Sequence, residues 1–121
     1  MAKILMADDE QALLVVLVAM LEADGHTVTT VVNGNALVAE ASAGYDLVIT
    51  DLIMPGKEGI EAILELRKVY PKLKIIAMSG GGRVGPENYL KLALKLGATA
   101  ALEKPFDRDK LVTLVRKVLA A

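Results

Sequence analysis

Apolar residues in this chain come in short, evenly spaced bursts, and each burst breaks off at polar residues or glycine. Lys3 to Ala7 (KILMA) is stopped by two aspartates. Glu10 to Ala23 then carries Leu13, Leu17, Met20 and Leu21 at helical spacing before Asp24-Gly25 ends it. Thr27 to Val32 is β-branched and reads as a strand, and Asn33-Gly34 turns the chain into a second helix through Ala43. Asp46 to Thr50 (DLVIT) is a third strand. After Pro55-Gly56, the residues Ile60, Ile63, Leu64 and Arg67 predict a helix running toward Tyr70-Pro71. Lys74 to Met78 (KIIAM) is the fourth strand. A loop from Ser79 to Gly85 follows, and Pro86 suits the first turn of a helix that ends at Gly97. Thr99 to Leu102 gives a fifth strand and Asp107 to Leu119 a last helix.

Five strands alternating with five helices fill the 121 residues, so residues 1–121 are expected to form one domain. Alternating βα units of this length predict an α/β fold, a doubly wound parallel sheet with helices on both faces. The second, third and fourth apolar runs are expected to be strands buried on both faces.

Composition changes this picture mainly by exclusion. An apolar fraction of 54% with only 3% aromatics calls for a globular core of Leu, Val, Ile and Ala. A formal net charge of −1 argues against a dedicated nucleic-acid binder. The chain has no cysteine, and so no disulfide framework or thiolate chemistry. No secretory leader is read before Lys3, and the apolar run Ala12 to Leu21 is half as long as the ~20 residues a membrane span needs. A cytoplasmic protein without membrane insertion or direct nucleic-acid contact is therefore expected.

Chemistry gathers where the strands stop. Asp8 and Asp9 follow the first strand, Asp51 the third, Ser79 the fourth and Lys104 the fifth. In an open parallel sheet these ends meet at one edge, where such folds bind ligands. A carboxylate at Asp51 is a competent nucleophile toward phosphorus, forming an acyl phosphate. Asp8 and Asp9 offer hard oxygen ligands to Mg²⁺. Lys104 brings a point charge and Ser79 a hydroxyl donor to phosphoryl oxygens, as phosphoryl transfer requires. Each residue also has a plain structural role open to it. Asp8 or Asp9 suits a helix cap, Asp51 a loop, Ser79 a turn and Lys104 the solvated surface. Those plain roles would have to coincide at four separate strand ends.

With these residues in place, the chain resembles a response-regulator receiver domain of two-component signalling, of the stand-alone chemotaxis-regulator type. The resemblance runs the whole length and rests on Asp8-Asp9, TDLIMPG around Asp51, MSG at Ser79 and EKPF at Lys104. It implies a flavodoxin-like sheet of order 2-1-3-4-5 and Asp51 as phosphoacceptor. Mg²⁺ (or Mn²⁺) would be held by Asp9 and Asp51 with Asp8 and the Ile53 backbone carbonyl, while Ser79 and Lys104 sense the phosphoryl group. A cis Lys104–Pro105 peptide is also implied. So is a histidine kinase or histidine phosphotransfer protein as donor, with a downstream protein whose binding changes. Such a domain catalyses its own phosphorylation and hydrolysis without being a turnover enzyme. No appended output domain is read after Ala121, so the chain is expected to act through a partner, relay the phosphoryl group or act as a sink.

Three positions depart from the family pattern. Ala101 stands where a Tyr or Phe usually precedes the lysine by three residues, so the aromatic relay is missing and Gly80 to Gly85 is the expected mobile element. Ile53 and Gly81 flank the attacking water in the family. Neither side chain can orient one, which predicts a comparatively long-lived phosphoaspartate. Weaker signals are Val15 and Val18 on the outer side of the first helix, and Arg108, Lys110, Arg116 and Lys117 on the last; His26 reads as a surface residue. Other readings are a phosphorylation-independent interaction module, an aspartate-nucleophile phosphatase and a flavin binder. The phosphatase lacks the second acid of a DxD pair, and the flavin binder lacks aromatics. Gly80 to Gly85 has no following Lys-Ser/Thr and fails as a P-loop.

Overall fold

The computed structural model describes residues 1–54, 57–80 and 86–121, the side chains of 86–89 excepted. Pro55-Gly56 and most of the expected mobile loop, Gly81 to Gly85 with the departure at Gly81, lie outside the described residues.

The elements alternate as β1 (Lys3–Ala7), α1 (Gln11–Ala23), β2 (Thr27–Val31), α2 (Gly34–Ala41) and β3 (Leu47–Asp51), then α3 (Gly59–Val69), β4 (Lys74–Ser79), α4 (Pro86–Leu96), β5 (Ala100–Glu103) and α5 (Arg108–Ala120). All strand pairs are parallel, in the order β2-β1-β3-β4-β5. This is the expected doubly wound, flavodoxin-like sheet. The helix starts follow from local chemistry. Asn33 Oδ1 accepts from Ala36 N at 2.7 Å, and Asp107 Oδ1 accepts from Lys110 N at 2.9 Å, so both residues cap rather than begin their helices. Glu10 is likewise the cap of α1, one residue before its first turn.

Two apolar layers sandwich the sheet. Leu5, Val48, Ile75 and Ala77 face α2, α3 and α4 through Leu37, Ile63, Leu66 and Ala93. Ile4, Met6, Ile49, Ile76 and Met78 face α1 and α5 through Leu14, Leu17, Leu21, Leu111 and Val115. Alternate residues of one strand thus serve opposite layers.

Several expectations are corrected here. The strand buried on both faces alongside β3 and β4 is β1, whereas every residue of β2 is exposed or half-buried because the order places it at the sheet edge. The α1 core stripe is Leu14, Leu17 and Leu21, and Leu13 and Met20 are half-buried beside it. On its outer side Val15 and Val16 are exposed, while Val18 is half-buried. In α3, Ala62, Ile63 and Leu66 are buried and Leu64 is exposed. His26 is not a surface residue: its side chain is 7% exposed. Its Nδ1 accepts from Ala2 N at 3.1 Å, and its Nε2 lies 3.5 Å from Asp24 Oδ2. Asp24 in turn pairs with Arg116, whose hydrogen bonds hold the Asp24 carboxyl below its usual range. No helix among the described residues is long and apolar enough to cross a membrane.

Candidate functional site

The sheet order reverses direction between β1 and β3, and a crevice opens there at the carboxyl ends of the strands. β1 runs straight into Asp8 and Asp9, and β3 ends on Asp51. β4 ends on Ser79, which pairs in register with Glu103, the residue before Lys104. The five predicted residues therefore stand at one edge of the sheet.

Their geometry is tight around one ammonium. Lys104 Nζ donates to Asp8 Oδ2 at 2.7 Å and to Asp51 Oδ2 at 3.0 Å. Asp8 Oδ1 accepts from Glu10 N at 2.9 Å, and Asp51 Oδ1 accepts from Ile53 N at 3.2 Å. Asp8 is fully buried, Asp51 is 9% exposed and Asp9 faces solvent. The Ser79 hydroxyl is buried and has no hydrogen-bond partner among the described residues. Lys104 N donates to Ser79 O at 2.9 Å, which joins these two residues through the backbone, and the Lys104–Pro105 peptide is cis.

Electrostatics follow from burial and crowding. Burial pushes the Asp51 carboxyl above its ordinary value of 3.8, against the attraction and hydrogen bond of Lys104, and the neighbouring Asp8 adds to the rise. Burial also works against the charge on Lys104. The hydrogen bonds and attraction of Asp8 and Asp51 outweigh it and hold the ammonium above 10.5. Oxygens of Asp8, Asp9 and Asp51 lie within 4.8 Å of one another, the one cluster of three or more potential metal ligands among the described residues. One ammonium leaves such a set net negative. Hard oxygens at this spacing suit Mg²⁺ or Mn²⁺.

A cavity of about 690 Å³ opens over the site, walled on its apolar side by Leu13, Val16, Met20 and Phe106. A larger one of about 960 Å³ lies at the other end of the sheet beside Tyr45 and Tyr70, away from the acidic cluster. The chemistry is with the smaller cavity. Thr50, Gly59 and Gly80 were not singled out individually in the sequence, yet each touches the site's backbone. A Cβ at Gly80 would run into the stem of Lys104 and one at Gly59 into the Asp51 carbonyl, while the Thr50 hydroxyl donates to that same carbonyl at 2.9 Å. Glycine next to Ser79 was the only sequence signal of this packing.

Residues 4–116 match the response regulator receiver domain family. The chain is 39% identical over 122 residues to the DNA-binding transcriptional regulator NtrC of Azospirillum brasilense, covering 98% of this chain and 24% of that protein. It is 34% identical over 121 residues to a CpxR homolog of Haemophilus influenzae, a transcriptional regulatory protein, covering 98% of this chain and 51% of that one. The chain thus spans between a quarter and about half of these relatives. Among solved structures, a response regulator receiver domain protein from Clostridium thermocellum superposes with a TM-score of 0.91 at 30% identity, covering 99% of this chain and 95% of that one. The chemotaxis response regulator CheY4 of Vibrio cholerae gives 0.87 at 28% identity, with 98% of each chain covered.

Proposed function

The chain belongs to the response regulator receiver domain family, a signalling family whose members accept a phosphoryl group on an aspartate, and from that premise we propose that Asp51 is the acceptor here. The observation that carries the proposal is the Lys104 ammonium bridging Asp8 and Asp51 at the end of β3. The Ser79 hydroxyl, without a partner among the described residues, supports it as a donor at the same strand edge.

In the proposed reaction an oxygen of Asp51 attacks the phosphorus of a phosphohistidine on a histidine kinase or phosphotransfer protein. The P–N bond breaks, its electron pair returns to the imidazole, and an acyl phosphate forms on Asp51. Lys104 shifts its charge to a phosphoryl oxygen, and Ser79 donates its hydroxyl to another. Asp8, Asp9 and Asp51, with the Ile53 carbonyl, would hold Mg²⁺ or Mn²⁺, which supplies charge neutralisation when bound. The catalysis is self-directed, residues 1–121 act as one receiver unit in the cytoplasm, and the output is altered binding of a downstream protein. DNA binding belongs to NtrC by its own name and is not assigned to this chain.

Incubation with Mg²⁺ and acetyl phosphate tests the proposal by intact mass. Gain of one phosphoryl group, absent in Asp51→Asn, is the expected outcome. A second reading, a phosphorylation-independent interaction module, has one observation in its favour: Ala101, half-buried on β5, has no side-chain rotamer to switch. No mass gain where Mg²⁺ demonstrably binds would select it.

A further inference from the structure

A nucleophile is only as well placed as the backbone that carries it, and the backbone of Asp51 is gripped from α3, a helix with no chemistry of its own. Gly59 opens α3 and is buried. A Cβ there would overlap the Asp51 carbonyl oxygen, and would stand 2.7 Å from Leu52 Cα and 2.9 Å from the Asp51 carbonyl carbon. All three are backbone atoms, so none can swing aside. Gly59 N also donates to Leu52 O at 3.0 Å. From the strand side, the buried Thr50 hydroxyl donates to Asp51 O at 2.9 Å, and Leu52 N donates to Met78 O at 3.1 Å. The Asp51–Leu52 peptide is thereby held from the strand before it, the helix after it and the strand beside it.

We infer that Gly59 and Thr50 are positioning residues for phosphoryl transfer, together fixing where the Asp51 carboxylate stands relative to Lys104 and the Asp8–Asp9 pair. The inference rests on Asp51 being the phosphoacceptor. Any side chain at residue 59 forces the Asp51–Leu52 backbone to move and displaces the carboxylate with it. Loss of the Thr50 hydroxyl frees the same carbonyl without changing the volume.

The test compares Gly59→Ala and Thr50→Val with Ile63→Val and Leu66→Ala. The last two bracket the expected loss of thermal stability through buried residues of the same helix that leave Asp51 alone. Phosphoryl gain from acetyl phosphate is followed by intact mass over a range of donor concentrations, and Mg²⁺ affinity is measured by calorimetry. Gly59→Ala is expected to cut the maximal rate by about tenfold or more without changing the half-saturating donor concentration, since misplacement acts on the transition state. Thr50→Val is expected to lose about threefold, the scale of one hydrogen bond. Mg²⁺ affinity should weaken by about tenfold in Gly59→Ala, as for a displaced supporting contact. The two controls should stay within about twofold of the wild type in both. Losses no greater than those of controls with matched melting temperature would overturn the inference. If Gly59→Ala does not fold, Thr50→Val decides it by the same criterion. A wild-type chain that gains no phosphoryl group would sink the acceptor assignment instead, and the Mg²⁺ affinities would still judge the clamp.

Discussion

The two ends of the sheet are built on opposite terms. At the carboxyl end two carboxylates share one ammonium with a third close by, a buried hydroxyl has no partner among the described residues, and Asp51 is held above its normal pKa. At the amino end several polar groups are matched, although the buried His26 Nε2 has no hydrogen-bond partner among the described residues. Asp46 Oδ2 accepts from Lys3 N at 2.8 Å, and Lys74 Nζ donates to Leu119 O at 3.0 Å and Ala121 O at 2.8 Å. Arg67, at the end of α3, donates to Gly97 O at 2.6 Å, Pro71 O at 2.9 Å and Tyr70 O at 3.2 Å. The matched end supplies stability, and the strained end is the one given over to the proposed phosphoryl and metal chemistry. Stability and reactivity are thus separated along the strands.

Substitution should expose that separation. Lys104→Met would leave buried carboxylates facing one another and is expected to lower unfolding stability by about 3 kcal/mol. Mg²⁺ should then raise the melting temperature more in this variant than in the wild type, and an equal rise would contradict the competition between ammonium and metal. Arg67→Ala removes a guanidinium from three carbonyls and should cost about 2 kcal/mol in urea unfolding while leaving the phosphorylation rate unchanged. Asp51→Asn should act in the opposite sense and raise unfolding stability, because it removes a carboxylate whose charge burial disfavours. The sign follows from linkage. The folded chain holds the Asp51 proton more tightly than the unfolded chain, so this group's contribution to stability falls as pH rises from its ordinary value of 3.8 through the raised folded value. Stability of Asp51→Asn measured from pH 3 to pH 7 should lack that fall, and a profile parallel to the wild type would refute the assignment. Smallest in stability is Ser79→Ala, no more than about 1 kcal/mol because its Oγ has no bond to lose. Its phosphorylation should nevertheless slow by about 100-fold, read by the same mass assay.

Much of the strained end was legible in the sequence, and little of the matched end was. Asp8, Asp9, Asp51, Ser79 and Lys104 each terminate an apolar run, so alternation alone puts them on one edge once the sheet is parallel. The Asp24–Arg116 pair joins residues 92 apart, and Arg67 reaches Gly97 across 30. No periodicity reports such contacts. Leu14 was missed in favour of Leu13 because the first helix is apolar nearly all round, which blurs the phase of its stripe. β2 was read as buried on both faces because β-branched residues signal strand, not position within the sheet. Gly59 was silent because close backbone approach leaves no mark beyond a glycine.

The reach of Lys104 has a consequence for synthesis. Its partners lie 96 and 53 residues earlier, just past the first strand and at the end of the third. As a nascent chain emerges from the ribosome amino end first, at roughly 5–20 residues per second, Asp51 is made well before the ammonium that must face it. Until the fifth strand docks, the Asp51 carboxylate lacks the ammonium that it faces in the folded chain. The charge arrangement at this edge of the sheet is therefore completed late in translation, once Lys104 has been made.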